Sequence, residues 1–437
     1  MYKTLRSPLI VQIEITTACT NHCLHCYNFW RKDERSIAMP DIPYLSAKAS
    51  DRVVEQLIRV KVFHVVFTGG EPFLNKKVLF RVIEKLRVAG ITVGINSNLV
   101  PLTLNDAKCL KKLGITSILT SLMGPTSKDH DEIAQFSGAF EKTVRGVHFL
   151  QEAEIPLMVN MVVSQKNKHL LKETASFVKS LGIKHFLSTR AGCPGNCSDF
   201  SEMSLNLQEF RNYLADLYKI GQEQQITVGV LESYPLCAIK EIKRYRAFTG
   251  RYCLAGVTTL TIATDGNIRP CSHLDVSYGN IFNEELIDAW GRMQEWRDGS
   301  LLPPVCHHCK ILARCGGGCR MEAKMRNGSF VTPDPYVMPQ DVDYVVQQLA
   351  MIERQKGLPL PPVFKLNPKI RWRNENFGSV IFLGPRLACY LNSAATELLQ
   401  ELSSSRVYST SDFIGRFEGD VQKFLAGLYS RRILLPA

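Results

Sequence analysis

Residues suited to metal or redox chemistry crowd into two stretches of this 437-residue chain. The first is ACTNHCLHCYNFW (18–30), where Cys19, Cys23 and Cys26 stand in a C-x3-C-x2-C pattern. A closed structural zinc takes four protein ligands and disulfides take cysteines in pairs, so three thiols suit a cluster with one metal left open. On spacing alone a zinc knuckle competes with that reading. The second stretch has Cys253, twelve residues to Gly266, four more to Cys271, then Cys306-x2-Cys309-x5-Cys315-x3-Cys319. Its C-x2-C pair also admits a zinc ribbon. Cys193 and Cys197, in RAGCPGNCSDF, suit a cluster ligand, a substrate contact, a redox pair or a turn with incidental thiols, and the choice stays open. Cys109 and Cys389 sit in apolar helical or strand-like settings and read as core.

The elements that must carry these residues alternate. Strand-like runs at 8–16, 63–70, 91–98, 117–124, 155–164 and 185–192 are separated by helical periods at 46–60, 75–90, 103–113, 138–153 and 167–181. Six strands alternating with helices predict an α/β fold, a parallel sheet curved into a partial (β/α)6 TIM-like barrel. Such barrels place chemistry at the C-terminal strand ends, where the Cys19 loop follows the first strand. Beyond about 235 the alternation stops. VVQQLAMIERQKGLPLPP (345–362) reads as a helix entering a Pro-rich linker, and the last 75 residues or so form a small separate unit.

Fourteen cysteines in a chain without a cleavable signal suggest metal binding in a reducing compartment, hence a cytoplasmic protein. No apolar run reaches the ~18–20 residues that span a bilayer. The net charge of +12 suits an acidic partner or a merely solvated basic surface, and no run of five or six basic residues marks a nucleic-acid arm.

Iron–sulfur clusters are held by cysteine thiolates, and the C-x3-C-x2-C loop after a first strand resembles the radical S-adenosylmethionine (SAM) superfamily. The resemblance implies a [4Fe–4S] cluster on Cys19, Cys23 and Cys26, with SAM on the open iron and an external donor of flavodoxin or ferredoxin type. Further motifs support it. Gly69-Gly70-Glu71-Pro72 ends the second strand; its glycines are expected to let backbone approach the methionine moiety, and Glu71 to accept from the ammonium. Asn96-Ser97-Asn98 ends the third strand, Ser121 lies on the fourth, and Tyr27 is expected near the adenine; all are implied cofactor contacts. Met123 stands where the family usually has Asp.

The second cysteine set resembles the SPASM domain of radical-SAM enzymes that modify peptides and proteins. By motif position Cys253, Cys271 and Cys319 serve one auxiliary iron–sulfur cluster, and Cys306, Cys309 and Cys315 a second. Asp334-Pro335-Tyr336 is followed by Val337 where the family often has Cys. The missing ligand of the second cluster is then Asp334 or His308, or an iron stays open, while Cys237 is the nearest cysteine in sequence to the first.

Residues 363–437 resemble the PqqD peptide chaperone and related recognition elements of ribosomally made, modified peptides. The marks are a strand-Gly-strand, Asn392-Ser393 opening a helix, and two further helices ending the chain. A DNA-binding winged helix or a plain cap is the alternative, and no basic recognition face supports DNA. The expected organisation is a radical SAM core (1–235), a SPASM domain (236–345), a linker (346–362) and a winged-helix unit (363–437). The expected function is hydrogen abstraction from a leader-bound precursor peptide, giving a thioether, a carbon–carbon crosslink or an epimerised residue. Maturation of a folded protein or of a peptide-derived redox cofactor is the second expectation, and a noncatalytic electron carrier the third.

Overall fold

The computed structural model describes residues 2–28, 44–193, 200–354, 359–384, 387–413 and 420–437; Cys197 lies outside them. The chain divides into two compact units, 1–349 and 350–437. In the first, seven parallel strands follow in sequence order: β1 (Ile10–Thr16), β2 (His64–Gly69), β3 (Thr92–Asn96), β4 (Ser117–Ser121), β5 (Leu157–Val163), β6 (His185–Arg190) and β7 (Thr227–Val230). The six expected strands are all present. The seventh follows an 18-residue helix, Leu207–Gln224, that begins on an Asn206–Glu209 capping box.

These strands form because their side chains are apolar toward both faces of the sheet, the pattern of a parallel sheet covered by helices. Val11, Ile13 and Ile15 of β1 and Val65 and Phe67 of β2 are fully buried, each contributing about 1.5–3 kcal/mol relative to exposure. The connecting helices lie where the periodicity puts them, at Ala47–Arg59, Lys76–Val88, Leu104–Lys112, Ala139–Glu152 and Leu171–Ser180. Parallel pairing brings every C-terminal strand end to one rim: Thr16 is opposite Gly69, Asn96 opposite Leu119, and Ser121 opposite Asn160.

Past residue 235 the chain returns to the far side of β1. There β8 (Thr259–Ile262) pairs in parallel with β1 and turns back antiparallel into β9 (Ile268–Arg269), completing a nine-stranded sheet ordered β7-β6-β5-β4-β3-β2-β1-β8-β9. Gly266 makes the turn at φ +86°, and a Cβ there would lie 2.5 Å from the Phe282 ring. That explains the glycine separated by four residues from Cys271. The cysteine-rich region thus extends the sheet that carries the first cysteine loop.

The second unit has its own core, with Phe364, Ile381, Leu425, Ile433 and Leu434 fully buried. Strand β10 (Val363–Leu366) precedes an antiparallel meander of β11 (Arg371–Glu375), β12 (Gly378–Gly384) and β13 (Leu387–Leu391). Asn392 then caps the helix Ser393–Gln400, its side chain accepting from the Ala395 amide at 2.9 Å. The expected pair of final helices is only partly present. Tyr408–Ser409 is a short strand, β14, followed by a 3-10 turn at Thr410–Asp412, and the rest of that segment lies outside the described residues. The helix Val421–Ser430 leads to a last strand, β15 (Leu434–Pro436), and β10 pairs antiparallel with both β14 and β15.

Candidate cofactor and cluster sites

Cys19, Cys23 and Cys26 occupy the loop leaving β1. Its backbone is held from outside: the His22 and Leu24 amides donate to the Ala134 and Ile133 carbonyls at 2.9 and 3.0 Å, and Cys26 N–H closes a turn onto Cys23 at 3.0 Å. Two donors converge on the Cys19 sulfur, the Asn21 amide at 3.4 Å and Asn98 Nδ2 at 3.6 Å. Burial pushes the Cys19 thiol well above its ordinary pKa, and Cys23 and Glu71 push it further. Desolvated thiols that raise one another fit a cationic iron centre, which favours the thiolates.

The Gly69-Gly70-Glu71-Pro72 segment packs tightly against the base of the cysteine loop. A Cβ on Gly69 would lie 2.2 Å from the Thr16 carbonyl oxygen, and one on Gly70 2.0 Å from that of Ala18. The glycines therefore admit the base of the cysteine loop, and the Gly70 and Glu71 amides bond to the Thr16 and Ala18 carbonyls at 2.7 Å each. Glu71 is fully buried. Its Oε1 accepts from Phe73 N at 3.0 Å and Ser97 Oγ at 2.8 Å, and its Oε2 from Asn98 N at 2.8 Å. Glu71 thus bridges the ends of β2 and β3, and burial lifts its carboxyl to about 7. Pro72 is buried at the start of the 3-10 turn that follows.

Asn98 links that bridge to the cluster loop, since its Nδ2 also donates to Thr20 Oγ1 at 2.9 Å. Asn96 and Ser121 end β3 and β4, half-buried on the same rim. Met123 is 3 % exposed, so an apolar side chain fills the position where the family has Asp. Its amide donates to His130 Nδ1 at 3.1 Å, and its carbonyl accepts from Asn167 Nδ2 at 3.0 Å.

Tyr27 bonds to Thr68 Oγ1 at 3.2 Å, and its ring stacks on His273, centroids 4.3 Å apart and planes within 7°. One face of the Tyr27 ring therefore lies against protein. His273 lies two residues beyond Cys271, so this stack joins the two cysteine regions. So does the fully buried ion pair of Glu14 on β1 with Arg269 on β9. Arg269 also donates to Leu274 O at 2.8 Å, holding the loop that contains Cys271.

The later cysteines form two groups. Burial raises the Cys271, Cys319 and Cys306 thiols; the Cys253 thiol adds to the first two, and Cys315 and Cys309 add to the third. Cys237 falls with the second group, not with Cys253 as its place in sequence suggested: the Leu236 amide donates to Cys315 Sγ at 3.2 Å. Neither expected substitute ligand is well placed. Asp334 is 1 % exposed, its Oδ2 accepting from Cys319 N at 2.9 Å and its Oδ1 from Tyr336 N at 3.0 Å. His308 is exposed to solvent.

Arg190 is a residue that sequence reading missed. Buried at the end of β6, it pairs with Glu322 at 3.5 Å and Asp334 at 3.7 Å, and lies over the Tyr336 ring at 4.4 Å. An Arg closing a buried strand was the available signal. Cys193, 6 % exposed, packs with Phe200, Met203 and Leu24 in a small apolar cluster.

Residues 13–178 match the radical SAM superfamily, and residues 253–310 the SPASM iron–sulfur cluster-binding domain. The AdoMet-dependent heme synthase of Methanosarcina barkeri is 23% identical over 354 residues, 77% of this chain and 98% of that protein. The PqqA peptide cyclase of Rhodopseudomonas palustris is 22% identical over 354 residues, 76% of this chain and 87% of that one. The structure of native anSMEcpe with bound AdoMet superposes with a TM-score of 0.63 at 16% identity, covering 80% of this chain and all of that one.

Proposed function

With a radical SAM domain and an iron–sulfur SPASM domain in one chain, we propose that this protein is a peptide maturase acting on a leader-bound ribosomal precursor. Cys19, Cys23 and Cys26 hold the SAM-binding cluster. When bound, that cluster supplies the electron that cleaves SAM to a 5'-deoxyadenosyl radical, which abstracts hydrogen from the substrate. The chain's own contribution is placement. Asn98 and the Asn21 amide orient Cys19, Glu71 fixes Asn98, and the glycine pair locks the loop to β2. Asn96 and Ser121 stand on the same rim as candidate contacts for SAM.

The observation that carries the peptide reading is the second unit. Among the described strands, β11 pairs on one side only, with β12, and carries Trp372, 38 % exposed. An open edge of this kind takes an extended peptide as an added strand. The relatives named PqqA peptide cyclase support a peptide substrate. Those named heme synthase favour a second reading, a heme precursor as substrate.

The test is anaerobic, reduced, reconstituted protein incubated with SAM and with the short peptide encoded beside the gene. A mass change in the peptide coupled to 5'-deoxyadenosine is expected; turnover of a heme precursor with an unchanged peptide selects the second reading. Replacing Cys19, Cys23 and Cys26 together by Ala abolishes 5'-deoxyadenosine while auxiliary iron remains. Retained cleavage in that variant rejects the assignment.

A further inference from the structure

The second cysteine group has three motif cysteines, Cys306, Cys309 and Cys315, and Val337 where a fourth is usual. Cys237 precedes that motif by 69 residues, counted from 306 − 237, and belongs to no C-x2-C pair. Yet its sulfur accepts from the Met338 amide at 3.2 Å, placing it against the backbone one residue beyond Val337. The neighbouring Leu236 amide reaches Cys315 Sγ, also at 3.2 Å. Cys237 is therefore bracketed by a motif cysteine on one side and the vacated motif position on the other. It is 5 % exposed, beside Cys306 at 8 % and Cys315 at 4 %, so the thiols share one water-poor site.

We propose that Cys237 is the fourth ligand of the second auxiliary cluster, supplying from the opposite side of the chain the thiolate that Val337 lacks. The inference rests on the iron–sulfur reading of the SPASM domain. Four protein thiolates close the cluster, which then takes part in electron transfer without binding substrate. The turn Leu236–Ala238 holds Cys237 in place. The competing ligands are committed elsewhere, Asp334 to two backbone amides and His308 to solvent.

The test uses full-length, anaerobically reconstituted protein in which Cys19, Cys23 and Cys26 are all Ala, so that only auxiliary clusters contribute. Iron, acid-labile sulfide and the low-temperature EPR spectrum of the dithionite-reduced protein are read. Cys237→Ala is expected to lose about four of about eight irons, or to change the EPR signal of one cluster and leave the other untouched. Adding Val337→Cys is expected to restore both iron and signal, a rescue that a purely structural role for Cys237 would not give. Cys237→Ser keeps the volume should the alanine variant fold poorly, and it is expected to shift the g-values and midpoint potential of the same cluster. Iron content and spectra unchanged in both Cys237 variants overturn the proposal. A parent protein without auxiliary iron overturns the iron–sulfur reading itself, a separate result.

Discussion

Gly70 is the tightest point of the first site. A methyl group 2.0 Å from the Ala18 oxygen cannot be accommodated without moving the cysteine loop. Gly70→Ala is expected to cost about 1–3 kcal/mol, measured by denaturant unfolding, and to lower iron at the first cluster. Gly291→Ala, on the helix Leu286–Arg292 where nothing lies within 4 Å, is the control and is expected to stabilise by up to about 1 kcal/mol. His130 gives a pH signature. Burial lowers its pKa to about 4, against the pull of Asp131 and Glu141, so the native state binds fewer protons than the unfolded chain between that value and about 6.5. Stability present above that window is lost as pH falls through it, by up to roughly 3 kcal/mol. Urea midpoints at pH 7 and 5 for wild type and His130→Gln check this; the variant keeps an amide oxygen for Met123 N–H and is expected to show a flatter pH dependence. The sequence marked Gly70 and Glu71 as functional but did not disclose the protein atoms they also hold. A motif shows that a residue type is required, whereas the atom requiring it, here the Ala18 oxygen or the Asn98 amide, belongs to another strand end.

Strands and helices of the core were legible because each is a short run of Val, Ile, Leu and Phe bounded by Gly, Ser or Asn, and sequential neighbours pair. The β1–β8 pairing was not. Ile10 meets Thr259, 249 positions further along the chain, counted as 259 − 10, and no local pattern announces so distant a partner. The same distance hid Cys237, whose neighbours Cys315 and Met338 lie 78 and 101 positions away. In the second unit, Ser409 at the head of STSDFIGRF pairs with Val363 of β10 and Thr410–Asp412 is a 3-10 turn, while residues 414–417 lie outside the described residues. The Glu14–Arg269 pair tests the tie between β1 and β9. Glu14→Ala strands a buried guanidinium and is expected to cost about 3–5 kcal/mol. Glu14→Leu with Arg269→Met buries no charge and is expected to recover most of that stability, yet to hold less auxiliary iron, because the Leu274 carbonyl loses its donor. Thermal unfolding and iron analysis on the same samples separate the two effects.

The second unit, with its own buried core, makes a division of labour testable across the whole chain. Deleting 363–437 is expected to leave SAM cleavage within about twofold while weakening precursor binding by about a hundredfold or more, the range tethering contributes. Isothermal titration with full-length precursor peptide checks it, and unchanged affinity removes leader capture from this unit. The first unit permits no such separation. Because β8 hydrogen-bonds directly to β1, the loop with Cys19 and the hairpin leading to Cys271 spring from adjacent strands of one sheet, with Tyr27 stacked on His273 between them. With clusters held at both cysteine sets, the gap an electron would cross between them would be set by backbone pairing rather than by hinge motion. The rate of that hop is expected to be indifferent to solvent viscosity.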